Sequence, residues 1–262
     1  MTAWITPLCS PATNRELREG ARADGPGARV ERVGGVVRHV GDSADDWNGV
    51  LWSALDDGDA DAAIAEQIAR FGALGHPFEW KLYGHDRPAD LAQRLLAAGF
   101  VPEPDETLMV ADIADLNLDA GAPEGIRFRT VADAADVELL VAVHERAFGT
   151  DGSRLRHRVL AQLADAPDTL VAVLALAGDE PVSAARMELP PGTGFAGLWG
   201  GGTVAGWRGR GVYRALVAHR ARIAADRGYR HLHVDASAQS RPILERLGFA
   251  ALTTTTPYVY EP

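Results

Sequence analysis

The chain has 262 residues, 47% apolar and 24% charged, which excludes a disordered, collagen-like or disulfide-stapled protein. Acids outnumber lysine plus arginine by 36 to 26, and the net charge of −10 disfavours wholesale binding to nucleic acid or an anionic membrane. A single cysteine, Cys9, offers neither an internal disulfide nor a metal cluster and fits a reducing cytoplasm, while the absence of a long apolar run or a basic leader before Ala12 predicts neither a membrane span nor a signal peptide.

In chain order, the first readable strand is Gly49 to Ala54. It runs into Asp56-Asp57-Gly58-Asp59-Ala60-Asp61, then a helix from Ala62. Gly75, a strand containing Lys81 (the only lysine), a helix led by Pro88, Gly99-Phe100 and a further strand follow, up to residue 111. A Gly/Pro-containing stretch at residues 120–125 then predicts a boundary, giving domains 1–122 and 123–262. Charge divides at the same place: residues 1–125 hold 22 acids and 10 bases, net −12, whereas residues 126–262 hold 14 acids and 16 bases, net +2.

In the second half, Ile126 to Val131 reads as a strand. Asp133 to Phe148 is a helix ended by Gly149, with His144 on its apolar stripe as a core histidine, and Ser153 to Ala166 is a second helix. Thr169 to Ala177 and Val182 to Leu189 form a hairpin, and Phe195 to Val204 is a strand interrupted by Gly200-Gly201-Gly202. Tyr213 to Arg227 is a helix capped by Gly228, followed by the strand His231 to Ala236, the short helix Ser240 to Leu247, and the strand Thr253 to Tyr260. The order is mixed α/β.

The segment richest in chemistry joins the fourth of these strands to the third helix: Thr203-Val204-Ala205-Gly206-Trp207-Arg208-Gly209-Arg210-Gly211-Val212-Tyr213. A helix start presents unpaired N–H groups and a positive dipole end, and glycines let those amides approach phosphate oxygens. Seven arginines and one acid, Asp226, lie between Arg208 and Arg230, a basic island in an acidic protein. Such an island needs an anionic ligand or is a solvated helix face. The Gly-Lys-Ser/Thr of a P-loop is absent, and Arg214 stands where a dinucleotide fingerprint needs its third glycine.

Arg208-Gly209-Arg210-Gly211-Val212-Tyr213 resembles the Arg-x-x-Gly-x-Gly/Ala motif of the GNAT N-acetyltransferase superfamily. The element order over residues 126–260, with its Leu247-Gly248-Phe249 ending, is similar to that family throughout. The resemblance implies acetyl-CoA as co-substrate, with no metal. Arg208, Gly209, Arg210, Gly211, Val212 and Tyr213 would cradle its pyrophosphate, and the backbones of Thr203 and Val204 would pair with the pantetheine arm. It implies transfer of the acetyl group to an amine of a small molecule or peptide. A catalytically inactive acyl-CoA sensor is the alternative.

Two departures bear on this reading. Tyr213 stands at the last Gly/Ala of the motif, where its side chain would cover the phosphates or stack on the ligand. Leu244 stands where many members carry a tyrosine that protonates the departing thiolate; Ser240 and Ser237 are the nearby hydroxyls, as substitutes or as helix caps. Asp235 alternates with His231 and His233 on one strand face, where it acts as a base, binds a cationic acceptor or organises the strand end. Glu188, Tyr258 and Tyr260 are either cleft residues or a surface carboxylate and strand aromatics.

Residues 62–111 echo residues 213–260, with Gly75, Pro88 and Gly99-Phe100 matching Gly228, Pro242 and Gly248-Phe249. Where the second copy has arginines and glycines, the first has four aspartates, which would repel a pyrophosphate. The first half therefore resembles a degenerate GNAT domain without a cofactor loop. It would support the second half, or wall an acceptor cleft with acidic groups and Trp47, Trp52 or Trp80. The expected fold is two tandem acyl-CoA N-acyltransferase-like domains, each with a mostly antiparallel sheet flanked by helices, in a cytoplasmic protein.

Overall fold

The computed structural model describes residues 12–23, 27–119 and 121–262; the start of the chain, Cys9 and Ala120 of the expected boundary lie outside these residues. The chain forms two compact units. The first takes residues up to Leu108 together with Asp235–Ala238 and Ala251–Pro262; the second takes Met109–Val234 and Gln239–Ala250. The two interleave in sequence: the last strand of the chain belongs with its first half. Among the described residues no helix is long and apolar enough to cross a membrane.

The first unit begins with a hairpin of β1 (Arg29–Val33) and β2 (Val36–Val40), followed by β3 (Gly49–Ser53) and helix α1 (Ala60–Gly72). Then come β4 (Phe78–Tyr83), helix α2 (Leu91–Ala97), the two-residue β5 (Val101–Pro102) and β6 (Glu106–Asp112), whose end lies in the second unit. β1, β2 and β3 are antiparallel, and β3 and β4 are parallel. β12 (Ala250–Tyr260) runs antiparallel to both β4 and β5. In α1 the buried residues Ala60, Ile64, Gln67 and Phe71 recur at helical spacing. They meet Phe78, Trp80, Phe100 and Tyr258 in an apolar core. Trp80 is 1% exposed, so it packs that core rather than lining a cleft.

The β1–β2 hairpin has no counterpart in the sequence-based expectation. Its signal is Val33, Val36, Val37 and Val40 around Gly34-Gly35, with Gly34 at φ +56°. Arg38 and His39 obscure it, because both are buried polar residues. Arg38 is accommodated by Glu31 and Gln67, to which it donates at 2.8 Å each.

The second unit follows the expected order: β7 (Ile126–Thr130), helices α3 (Ala134–Phe148) and α4 (Ser153–Asp165), then β8 (Leu170–Ala177), β9 (Glu180–Glu188) and β10 (Phe195–Thr203). Helix α5 (Val212–Asp226), β11 (His231–Ala236) and helix α6 (Arg241–Leu247) complete it. Its strand order is β6-β11-β10-β9-β8-β7, antiparallel from β7 to β10 and parallel between β10 and β11. α3 starts where the Asp133 side chain accepts from the Asp136 N–H and stops at Gly149, φ 75°. Both units thus share one sequence of elements: three antiparallel strands, a helix, a strand parallel to the third, and a shorter helix.

Candidate functional site

β10 parts from β11 before the glycine loop but stays paired with β9. Its parallel register with β11 pairs Phe195, Ala196 and Gly197 with His231, Leu232 and His233, while both strands continue further. On the β9 side the register shifts between Trp199↔Arg186 and Gly202↔Ala184, so Gly200 and Gly201 oppose Ala185 alone. This is a β-bulge, and Gly200 takes φ +58° to make it. Gly197 is needed for another reason: a Cβ there would fall 2.7 Å from Trp199 Nε1 and 2.8 Å from His233 Nε2.

After the bulge, Ser183 Oγ donates to the Gly202 carbonyl at 2.6 Å, and the Val204 N–H donates to the Val182 carbonyl at 3.0 Å. The Val204 amide is therefore committed to β9, whereas strand alternation turns the Thr203 backbone to the opposite edge. A 3₁₀ turn at Ala205–Trp207 leads to Gly209 and Gly211, at φ 75° and 82°. Gly211 caps α5 without any side-chain hydrogen bond, and the first ladder bond runs from Ala215 N–H to the Gly211 carbonyl. The leading amides of α5 are those a helix leaves for an anion.

The basic island resolves into two groups. Arg208 Nε donates to the Thr203 carbonyl at 3.0 Å and Nη2 to the Ala147 carbonyl at 2.9 Å, which fixes the turn. Arg220 is 1% exposed, and its donors go to the Leu216 and Arg186 carbonyls; burial lowers its pKa to about 10. Arg222 and Arg227 likewise bond the Leu118 and Asp168 carbonyls. These four tie backbone together rather than wait for a ligand. Arg210 and Arg214 are exposed beside the glycines, Arg210 with its guanidinium 4.7 Å from the Trp207 ring centroid.

Tyr213 turns inward. A Cβ on Gly201 would lie 2.6 Å from its Cε2, and its hydroxyl is hydrogen-bonded to Ser240. Burial pushes the phenol pKa up. Ser240 makes no side-chain cap for α6, so its hydroxyl serves Tyr213 instead of the helix end. Leu244, one turn further along α6, is fully buried.

His144 is half-buried rather than a core residue. Its Nε2 lies 3.2 Å from Thr150 Oγ1, and its Nδ1 is buried without a hydrogen-bond partner. It lines a small recess with Leu140, Leu155, Arg186 and Gly200, and burial with nearby Arg186 pulls its pKa down. Glu188 accepts from Arg158 at 2.8 Å. In the first unit, Asp235 pairs with Lys81 at 3.0 Å, its side chain 5% exposed. The expected acidic turn before α1 organises itself: Asp56 accepts from the Gly58 and Asp59 amides, and Arg94 lies 3.0 Å from Asp61.

The model of the acetyltransferase (GNAT) family matches residues 137–249, which span the bulge, the glycine loop and α6. Over those residues the chain is similar to GNAT-family domains. Among solved structures, a GCN5-related N-acetyltransferase from Kribbella flavida superposes with a TM-score of 0.71 at 20% identity, covering 98% of this chain and 97% of that one. A functionally unknown conserved protein from Staphylococcus epidermidis gives 0.68 at 12%, covering 93% and 96%. A tandem GNAT protein from the clavulanic acid biosynthesis pathway gives 0.60 at 14%, covering 95% and 92%. At these identities the likeness is one of fold, and it extends over both units. Curated proteins yield no significant match to the sequence. GNAT proteins use acetyl-CoA as co-substrate for acyl transfer to amines.

Proposed function

We propose that this protein is an acetyl-CoA-dependent N-acetyltransferase whose residues 123–262 bind acetyl-CoA and pass its acetyl group to an amine of a small molecule or peptide. One observation carries the reading: a bulged strand parts from its parallel neighbour after Gly197 and runs into a helix start made by two left-handed glycines. The leading amides of α5, from Gly209 to Tyr213, face the pyrophosphate, and Arg210 and Arg214 add charge at its rim. The outward N–H of Thr203 pairs with the pantetheine arm, its carbonyl being held by Arg208. Val204 aligns that edge through its bond to Val182. Acetyl-CoA supplies an activated thioester carbon; this chain orients it against the amine, and backbone N–H groups at the bulge stabilise the developing oxyanion.

Ser240 and Tyr213 form the hydroxyl pair at the start of α6 that relays the proton lost by the amine to the departing thiolate, since Leu244 has none to give. Asp235, tied to Lys81, suits holding a cation better than accepting a proton. The first half, lacking an Arg/Gly loop before α1, binds no cofactor of its own on this reading. The protein works in the cytoplasm.

Calorimetric titration with acetyl-CoA, and thiol release in the presence of a panel of primary amines, test the proposal. Wild-type protein should bind acetyl-CoA and release thiol with at least one amine. Arg210→Glu, an exposed change, should weaken acetyl-CoA binding about tenfold. Equal affinity in the variant would overturn the loop assignment, and tight binding without transfer to any amine would make the protein a sensor.

A further inference from the structure

The sheet of the first unit carries a buried polar layer on the face away from its apolar core. Phe78 and Trp80 of β4 pack into the core, so alternation sends Glu79, Lys81 and Tyr83 to the other face. There Lys81 Nζ lies 3.0 Å from Asp235 Oδ2 and 3.1 Å from Glu106 Oε2, while Glu79 Oε2 accepts from Trp47 Nε1 at 3.1 Å. Two carboxylates thus pair with one lysine, and Glu79 lies on the same face. Burial and mutual repulsion push the Glu79 and Glu106 carboxyls up, and the surrounding acids hold Lys81 protonated. The other buried cation at this face, Arg18, lies 3.8 Å over the Tyr83 ring and is paired with Asp86, so the layer stays short of positive charge.

A second observation is independent of the charges. Thr255 is fully buried, and its Oγ1 has no hydrogen-bond partner among the described residues. It stands opposite Tyr83 in the β4–β12 register, which sends its side chain to this same face. Asp235 Oδ1 and Glu79 Oε1 are orphaned as well. Buried polar atoms seldom stay unpaired, because each loses its hydration for nothing in return. All of these residues belong to the first unit. The carboxylates do not converge: among the described residues no group of three or more His, Cys, Asp or Glu side chains could hold a metal ion. A partner for this layer must bring several separated N–H donors.

We propose that this face binds a small organic cation carrying two or more spaced amino groups. Its ammonium donors meet Asp235 Oδ1 and Glu79 Oε1, and the Thr255 hydroxyl accepts from the remainder. Glu106, its side chain a third exposed, is the part of the layer that solvent reaches. The site is argued from the first unit alone and does not depend on acyl transfer; where the acetyltransferase reading holds, it names diamines and polyamines as the first acceptors to try.

The test uses the full chain without acetyl-CoA, so failure of the acetyltransferase reading cannot be mistaken for failure of this one. Putrescine and spermidine should raise the thermal midpoint saturably, whereas 1,4-butanediol and sodium chloride of matched ionic strength should not. Glu106→Gln should weaken putrescine binding at least tenfold. Thr255→Val removes an unpaired hydroxyl at constant shape, so it should fold as well as wild type yet bind several-fold more weakly. No saturable binding by wild type, or affinity unchanged in both variants, overturns the proposal.

Discussion

Arg220 and Gly201 show how far the meaning of a side chain depends on what surrounds it. Sequence places Arg220 in a basic island, but it is a buried strut that donates to the Leu216 and Arg186 carbonyls of the same unit. Gly201, one of three glycines read together as loosening a strand, has a narrower duty, because its missing Cβ is the space the Tyr213 ring occupies. Gly201→Val must displace that ring and should cost about 1–3 kcal/mol in urea unfolding; an unchanged midpoint would mean that the ring does not pack there. Glu31 offers a test with a pH signature. Arg70, Arg29 and Arg38 gather on it and pull its carboxyl down to about 2 from 4.5. Its folded pKa is depressed, so its contribution is complete above about 4.5 and disappears as pH falls toward 2. After allowance for solvent screening, Glu31→Gln should cost about 1–2 kcal/mol at pH 7. The same comparison at pH 3 should give a smaller difference.

At the scale of elements, most of the second unit was legible because its punctuation is local. Asp133 and Gly149 mark both ends of α3, and Gly228, at φ 85°, stops α5 as its sequence position implies. Asp133→Ala should destabilise by about 1 kcal/mol, read as a shift in urea midpoint, by leaving the Asp136 amide without its acceptor. An unchanged midpoint would show that water replaces the cap at no cost. The helix start at Gly211 was legible for the same reason, since its conformation is written in residues next to one another. β1 and β2 were not, because their charged residues are buried only by virtue of Glu31 and Gln67 across the hairpin and helix. Ser240 was read with capping as one option, and only the fold shows its hydroxyl engaged with a tyrosine from α5.

At the scale of the whole molecule, the first unit depends on the end of the chain. β12 pairs with β4 over Thr255 to Tyr260 and with β5, and it places Tyr258 in the core. Truncation after Phe249 exposes the β4 edge and opens that core. Hydrogen exchange should then lose protection across β1 to β4, while the second unit, apart from Ala250, keeps all the residues assigned to it. Retained protection in β4 would refute this dependence.

By itself the sequence determined the order of elements in the second half, the glycine-made helix start beside exposed arginines, and the contrast with the aspartate turn of the first half. Each is set by neighbours a few residues apart, through periodicity, caps and left-handed glycines. Tertiary structure alone decided that β12 completes the first unit, that Tyr213 points at Gly201, and that Lys81 joins Asp235 and Glu106. Those outcomes rest on charge pairing and close packing between segments distant in the chain, which no local pattern encodes.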